Sequence, residues 1–537
     1  MATLLASGGA SAEHLQLAAV LLAIGALLVL AQAGRIPYPL LLVVGGGLLA
    51  LIPGAPRVEM SPELVLIVFL PILLYAAAFF SSLRDLRAQA KPIATLAIGL
   101  VLVSAVAVAV VAHVAIGLPW AAAFVLGAVL SPTDPVAATA IAQRLGAPRR
   151  VVTIVEGESL INDSSALIIY KFAVLAVTSG TFSIWEAGLS FVVGVAGGLA
   201  IGIAVGAAIV AVRRRIHDTT TEIAISLLTP YLAYLPAEAA GVSAVVAAVT
   251  SGIWLGWRSP WLVTPTYRLQ AFAVWEVLQF MANAALFALI GMQLPTVVDQ
   301  LREADEPTVE LVLQGLLVAG VVMLVRIAWI GLGELIERLL PRLRELRPVG
   351  SGREAVVIAW TGMRGAVSLA TALAVPVALD DGSPFHDRDR IVLIAYVAIL
   401  TTLLLQGLTL PRLLTRLGLR DSDDGDADEE AMARAAMADA VLDRFDDVVA
   451  DYAVPEPLAN RFRTQYRFRQ ERHDAQRRGE ANERLEAGNA RFVAFRSDLL
   501  DLERRALLEL RTTGCISDAV MHRIQRDLDL EQERLTG

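Results

Sequence analysis

Ser131-Pro132-Thr133-Asp134-Pro135, followed by Glu156-Gly157-Glu158-Ser159-Leu160-Ile161-Asn162-Asp163-Ser164-Ser165, is the part of the chain that decides its architecture. Both segments sit inside long apolar runs, 119–142 and 152–178, of the length that crosses a bilayer as a helix. Two prolines flanking an aspartate in mid-run remove backbone hydrogen bonds and open the helix there. Freed carbonyls and half-helix ends are tolerated at membrane depth where they are buried in protein or line a wet cavity, and transporters use such ends to hold ions. Asp134 also suits capping of the second half-helix, a role compatible with a site.

In the second segment Glu158 and Asn162 are four residues apart, as are Ser159 and Asp163, so two polar pairs lie on adjacent strips of one helical face. That face cannot point at lipid. Carboxylate, amide and hydroxyl oxygens are the hard ligands a desolvated sodium ion needs. Acidic residues near a helix start complement its dipole, which suits Glu156, but Asp163 is about two turns further in and is not explained this way.

Elsewhere an ionisable side chain in a span costs roughly 2.5–3.5 kcal/mol and demands a partner or a purpose. Arg364, in Thr361-Gly362-Met363-Arg364-Gly365-Ala366-Val367-Ser368, keeps its proton and must meet an acid or backbone carbonyls; Glu158 is the expected partner. Glu276 and Arg326 are expected to form a second, mainly structural pair.

Outward from these segments, the 537 residues are 56% hydrophobic and 18% charged, with a mean hydropathy of +0.61. That is too apolar for a soluble domain of this size and gives an all-α polytopic membrane protein. About thirteen spans are expected, at 15–33, 37–53, 63–80, 93–117, 119–142, 152–178, 186–212, 220–236, 241–257, 270–294, 309–336, 354–378 and 391–414. Lys and Arg gather in alternate connections, such as Arg84, Arg87 and Lys91, Arg144, Arg149 and Arg150, and Arg213 to Arg215. By the positive-inside rule the amino terminus faces out and the carboxyl-terminal tail lies in the cytoplasm. With an odd span count, spans 1–6 and 8–13 run in opposite senses, as in inverted-repeat transporters, and span 12 corresponds to span 5. Span 7, the linker, carries Gly194, Gly198, Gly202 and Gly206, a small-residue stripe that admits a close neighbour. The chain divides into a transmembrane domain, 1–416, and a cytoplasmic helical tail, 417–537. The tail holds roughly half of the 53 acidic residues and accounts for the net charge of −8.

One cysteine, Cys515, leaves no disulfide framework or thiolate metal site, and the six histidines have no ligand spacing. No basic stripe with interleaved aromatics implies nucleic acid. Residues Met1 to Glu13 lack the Lys or Arg of a signal peptide, so the first apolar run is expected to be a span. Two buried aspartates could form an intramembrane protease dyad, but the Gly-x-Gly-Asp setting of such enzymes is absent. A cation channel would be expected to carry a pore loop or a ring of carbonyls, and neither pattern is visible. No enzyme activity and no cofactor is expected.

At Ser131-Pro132-Thr133-Asp134-Pro135, Glu158-Ser159-Leu160-Ile161-Asn162-Asp163 and Gly362-Met363-Arg364-Gly365 the sequence resembles the monovalent cation:proton antiporters of the NhaP and sodium/proton exchanger type. The resemblance extends to Trp275-Glu276-Val277-Leu278 and Ile290-Gly291-Met292-Gln293-Leu294. It implies an NhaA-like fold with broken crossing helices, a moving core of spans 4–6 and 11–13, and a homodimer in the bacterial inner membrane. It implies that Asp163 holds the cation or proton, that Asn162, Asp134, Thr133 and Ser159 line the site, and that Glu158 and Arg364 are its buried ion pair. Ala76 stands where many members have glutamate, a departure from the family pattern. The Asn162-Asp163 pair resembles the electroneutral branch, in which one proton exchanges for one cation. Sodium is the expected cation, with potassium the alternative. Because burial disfavours a bare carboxylate, proton and cation would compete for Asp163, and that competition would couple their fluxes.

Overall fold

The computed structural model describes residues 22–34, 37–52, 61–180, 184–216, 218–303, 307–339, 352–380, 382–419, 423–477, 483–513, 515 and 517–536. The start of the first expected span, the basic stretch 340–351 and the beginning of the acidic run after Arg420 lie outside them. The chain forms two compact units, Met1–Arg420 and Asp421–Gly537. Among the described residues the only extended pairing is an isolated bridge between Ala378 and Pro384.

The first unit is built of α1 (Leu22–Ala33), α2 (Tyr38–Ala50), a π-helical turn over Leu64–Phe69 leading into α3 (Leu70–Phe80), α4 (Leu83–Ala88) and α5 (Ala90–Ala94). A second π-turn, Thr95–Leu100, leads into α6 (Val101–Val114), followed by α7 (Trp120–Leu130), α8 (Pro135–Arg144), α9 (Arg149–Ser179), α10 (Ile184–Arg213), α11 (Thr219–Ala239) and α12 (Ala244–Leu262). Then come α13 (Pro265–Met292), α14 (Leu294–Glu303), α15 (Thr308–Leu339), α16 (Gly352–Trp360), α17 (Ala366–Leu373) and α18 (Arg388–Leu417). Among the described residues seven helical stretches are long and apolar enough to cross a membrane, and three further apolar helices are shorter. Each expected span that falls on described residues coincides with a helix or a pair of half-helices.

The expected break in 119–142 is real: α7 ends at Leu130 and α8 starts at Pro135, with no helix at 131–134. Pro135 disfavours helical backbone at the residue before it, and Asp134 is extended at φ −92°, ψ 119°. A second break, 361–365, separates α16 from α17. The two unwound segments touch directly, because the Asp134 N–H donates to the Met363 carbonyl at 2.8 Å. This contact across the crossing satisfies a backbone donor that the broken helix leaves orphaned.

Two apolar clusters flank the crossing. The larger joins residues such as Leu126, Ile154, Val318, Ile394 and Leu403 of α7, α9, α15 and α18. The other joins Leu74, Tyr234 and Val245 of α3, α11 and α12. The glycine stripe of α10 meets α12: a side chain at Gly202 would sit 2.6 Å from the Ala247 carbonyl, and one at Gly206 would sit 2.7 Å from the Trp254 ring. Small residues let these helices approach to backbone contact.

The second unit contains α19 (Asp423–Asp443), α20 (Phe445–Asp451), α21 (Glu456–Arg477), α22 (Glu483–Thr512) and α23 (Asp518–Thr536). Leu500 and Leu507 of α22 pack on Met521 and Leu528 of α23. Arg504 reaches Asp529 at 2.9 Å across the same hairpin.

Candidate ion-binding site

The crossing builds a cavity of about 470 Å³. Thr133, Asp134, Ser159 and Asp163 line it together with Gly365 and Ser368. Ser81 at the end of α3, Gln143 in the last turn of α8 and Glu156, about two turns into α9, also line it, on the side of the basic connections. The structure therefore brings four of the five expected ligand residues onto one surface.

Asp134 is held at two helix starts. Its Oδ1 accepts the Val136 N–H at 2.9 Å, the N-cap of α8, and its carboxylate also accepts the Ala366 N–H at the start of α17. Both positive dipole ends thus point at one half-buried carboxylate. Gly365 is required by this approach, since any side chain there would occupy the space of the Asp134 carboxylate. Asp163 is different. It is 5% exposed, lines the cavity, lies near enough to Asp134 for their charges to interact, and accepts no hydrogen bond from any described residue.

Behind this surface runs a buried polar network. The Thr133 hydroxyl donates to Glu158 Oε1 at 3.0 Å and accepts from Asn162 Nδ2 at 2.8 Å. Asn162 is fully buried and lies outside the cavity lining, so among the described residues it fixes the unwound segment from behind. Its Oδ1 has no hydrogen-bond partner there.

Both expected ion pairs are corrected. Glu158 pairs with Arg326 of α15, with Nη1–Oε1 at 2.5 Å and Nη2–Oε2 at 2.7 Å. Arg326 Nε also donates to the Ile358 carbonyl at 2.9 Å. Arg364 instead serves carbonyls freed by the two breaks: its Nε donates to Leu130 O at 2.9 Å, and its Nη1 donates to Gly362 O. The carbonyl option open to a buried arginine is thus the one realised, because unwound backbone surrounds it on both sides. Glu276 has no ion-pair partner among the described residues and is exposed on α13, which packs on α2 and α3.

The polar side chains that reach the cavity and that the sequence reading passed over include Tyr38 of α2 and Gln279 and Asn283 of α13. The last two carried a signal, two amides four residues apart in an apolar run.

Residues 19–416 match the family model described as sodium/hydrogen exchanger, transmembrane. An uncharacterized Na(+)/H(+) exchanger of Mycobacterium tuberculosis is 38% identical over 94% of this chain and 93% of its own length. The Na(+)/H(+) antiporter ApNhaP of Aphanothece halophytica is 33% identical over 76% of this chain and 75% of its own. The sodium, potassium, lithium and rubidium/H(+) antiporter of Bacillus pumilus is 32% identical over 76% of this chain and 62% of its own. In fold the chain is similar to the sodium proton antiporter MjNhaP1 of Methanocaldococcus jannaschii, with a TM-score of 0.60 at 18% identity, covering 76% of this chain and 99% of that one.

Proposed function

From the premise that this chain belongs to the sodium/hydrogen exchanger family and is a transporter rather than an enzyme, we propose that it exchanges sodium for protons one for one, the two competing for Asp163. The observation that carries this reading is the contrast between the two aspartates. Asp134 is tied to two helix starts, whereas Asp163 has no donor among the described residues and faces the cavity. A buried carboxylate without donors is costly as a bare anion and is relieved equally by a proton or by a monovalent cation. Thr133, Asp134 and Ser159 offer further hard oxygens to the cation, and Asn162 holds Thr133 in place. Movement of the core with its carboxylate neutralised, and not with it bare, suppresses leak and makes the exchange obligatory.

In this reading the protein works as a homodimer in the bacterial inner membrane. The cavity of this conformation opens to the cytoplasm, since its mouth adjoins the basic connections. Potassium is the second reading, since the Bacillus pumilus relative is a sodium, potassium, lithium and rubidium/H(+) antiporter.

The test is proton efflux from proteoliposomes loaded with a pH dye, on external addition of sodium, lithium or potassium, for wild type and Asp163→Asn. Sodium-evoked flux that disappears in the variant, with folding intact, is expected. Flux that survives the substitution removes Asp163 from the mechanism, and flux with potassium alone changes the cation.

A further inference from the structure

The cavity has two kinds of wall. The wall from α8, α9 and α17 carries Asp134, Ser159 and Asp163, and the wall from α2, α3 and α13 is mostly apolar. On the second wall Ala76, the position lacking a glutamate, is fully buried and offers no oxygen. Its hydrogen-bonding side chains are Tyr38, Ser81, Gln279 and Asn283. Ser81 already donates to Ala77 O at 2.7 Å and stands at the mouth, at the end of α3. Phe80 packs edge-on against Phe272 at 5.2 Å, which sets the start of α13 beside that mouth. Gln279 and then Asn283 therefore lie successively deeper, about 6 Å apart along the helix axis.

Both amides are half-buried, and neither is hydrogen-bonded to a described residue. Polar groups in a span are costly unless something satisfies them. Each amide presents a neutral carbonyl oxygen, a hard donor suited to an alkali cation and indifferent to a proton, because it does not titrate at any working pH. We infer that Asn283, with Gln279 one turn nearer the mouth, supplies carbonyl oxygens to the cation from the α13 wall and so sets cation affinity separately from proton affinity. This deepens the antiport reading and rests on it for the identity of the ligand.

The division of labour is chemical. Asp163 binds either ion, so changes there move both affinities. Asn283 can contribute to the cation-bound form alone. Asn283→Ala removes one oxygen without changing charge, and Asn283→Asp keeps the oxygen and adds charge. The two substitutions therefore act on cation binding in opposite directions.

The experiment is sodium-dependent thermal stabilisation of the full-length protein in detergent, at one pH where the wild type responds, with lithium and potassium in parallel. The sodium concentration for half-maximal stabilisation is expected to rise about ten-fold in Asn283→Ala, equivalent to about 1.4 kcal/mol, to fall in Asn283→Asp, and to rise less in Gln279→Ala. Should the alanine variant fail to fold, the aspartate variant decides by its opposite shift. Asn283→Ala and Asn283→Asp both binding at the wild-type concentration overturns the assignment, as does a wild type stabilised by none of the three cations. Because binding needs no turnover, a wild type that binds sodium through Asn283 without moving protons supports this assignment while defeating the antiport reading.

Discussion

Arg326 and Glu158, on helices far apart in the chain, meet as a two-pronged buried pair with N–O distances of 2.5 and 2.7 Å. Both side chains are almost wholly excluded from solvent. Glu158 in turn accepts the Thr133 hydroxyl, so the pair is anchored to the unwound segment that carries Asp134. A charge pair this deep recovers its desolvation cost only while both partners are present and bonded.

Arg326→Ala is therefore expected to destabilise the folded protein by about 3–5 kcal/mol, because it strands the Glu158 carboxylate. Replacing both residues by apolar side chains of similar volume is expected to restore most of that loss. Thermal unfolding in detergent measures both, and equal damage in the single and double variants would argue against the pair as the cause.

Asp134 both caps α8 and lines the cavity, and substitution separates these roles. Asparagine caps as well as aspartate, whereas alanine costs about 1 kcal/mol. Asp134→Asn is expected to lose exchange with unchanged thermal stability, and Asp134→Ala to lose both. Full exchange in Asp134→Asn would reduce the residue to its cap.

Gly365 leaves no room for a side chain beside the Asp134 carboxylate. Gly365→Ala is expected to push that carboxylate out of place and slow exchange at least about ten-fold, since small displacements of a reacting group cost that much or more. Dye-reported proton flux at matched protein density checks it.

One-for-one exchange carries no net charge, whereas each uncompensated charge would feel about 2.3 kcal/mol per 100 mV. Exchange rates in proteoliposomes clamped with valinomycin and potassium gradients are expected to be equal at 0 and −100 mV, about a Debye-screened surface term aside. A voltage-dependent rate would overturn the stoichiometry and leave Asp163 as the site.

At the start of α11, Asp218 accepts both the N–H and the hydroxyl of Thr221 at 2.7 Å, and these bonds hold its carboxyl below the ordinary aspartate value of 3.8. Its stabilising contribution is complete above 3.8 and is lost as pH falls through its lowered folded value. Amide exchange at Thr221 is expected to accelerate in Asp218→Ala near neutral pH, and the difference from wild type is expected to shrink at acid pH. A gap that persists unchanged at acid pH would argue against the carboxylate.

Much of this architecture was legible locally. Pro132 and Pro135 cannot donate backbone hydrogen bonds, which marked this stretch as a place for a break, although α11 runs unbroken through Pro230 and Pro236. The i, i+4 spacing of Ser159 and Asp163 sets both on the surface that faces the cavity. The glycines at 198, 202 and 206 announced a close helix contact, though their partner α12 had to be found in three dimensions.

What the sequence could not determine is which buried charge meets which. Arg326 and Arg364 are equally compelled by their desolvation cost to find acceptors, and either satisfies the chemistry of Glu158. Register between distant helices gave Glu158 to Arg326 and left Arg364 to the carbonyls of Leu130 and Gly362. The same holds for Gln279 and Asn283, whose residue types say only that some polar surface awaits them. Local covalent rules and helical periodicity mark where the backbone can break and set which side chains share a face. Partners separated by long stretches of chain are chosen by packing, which only the tertiary structure decides.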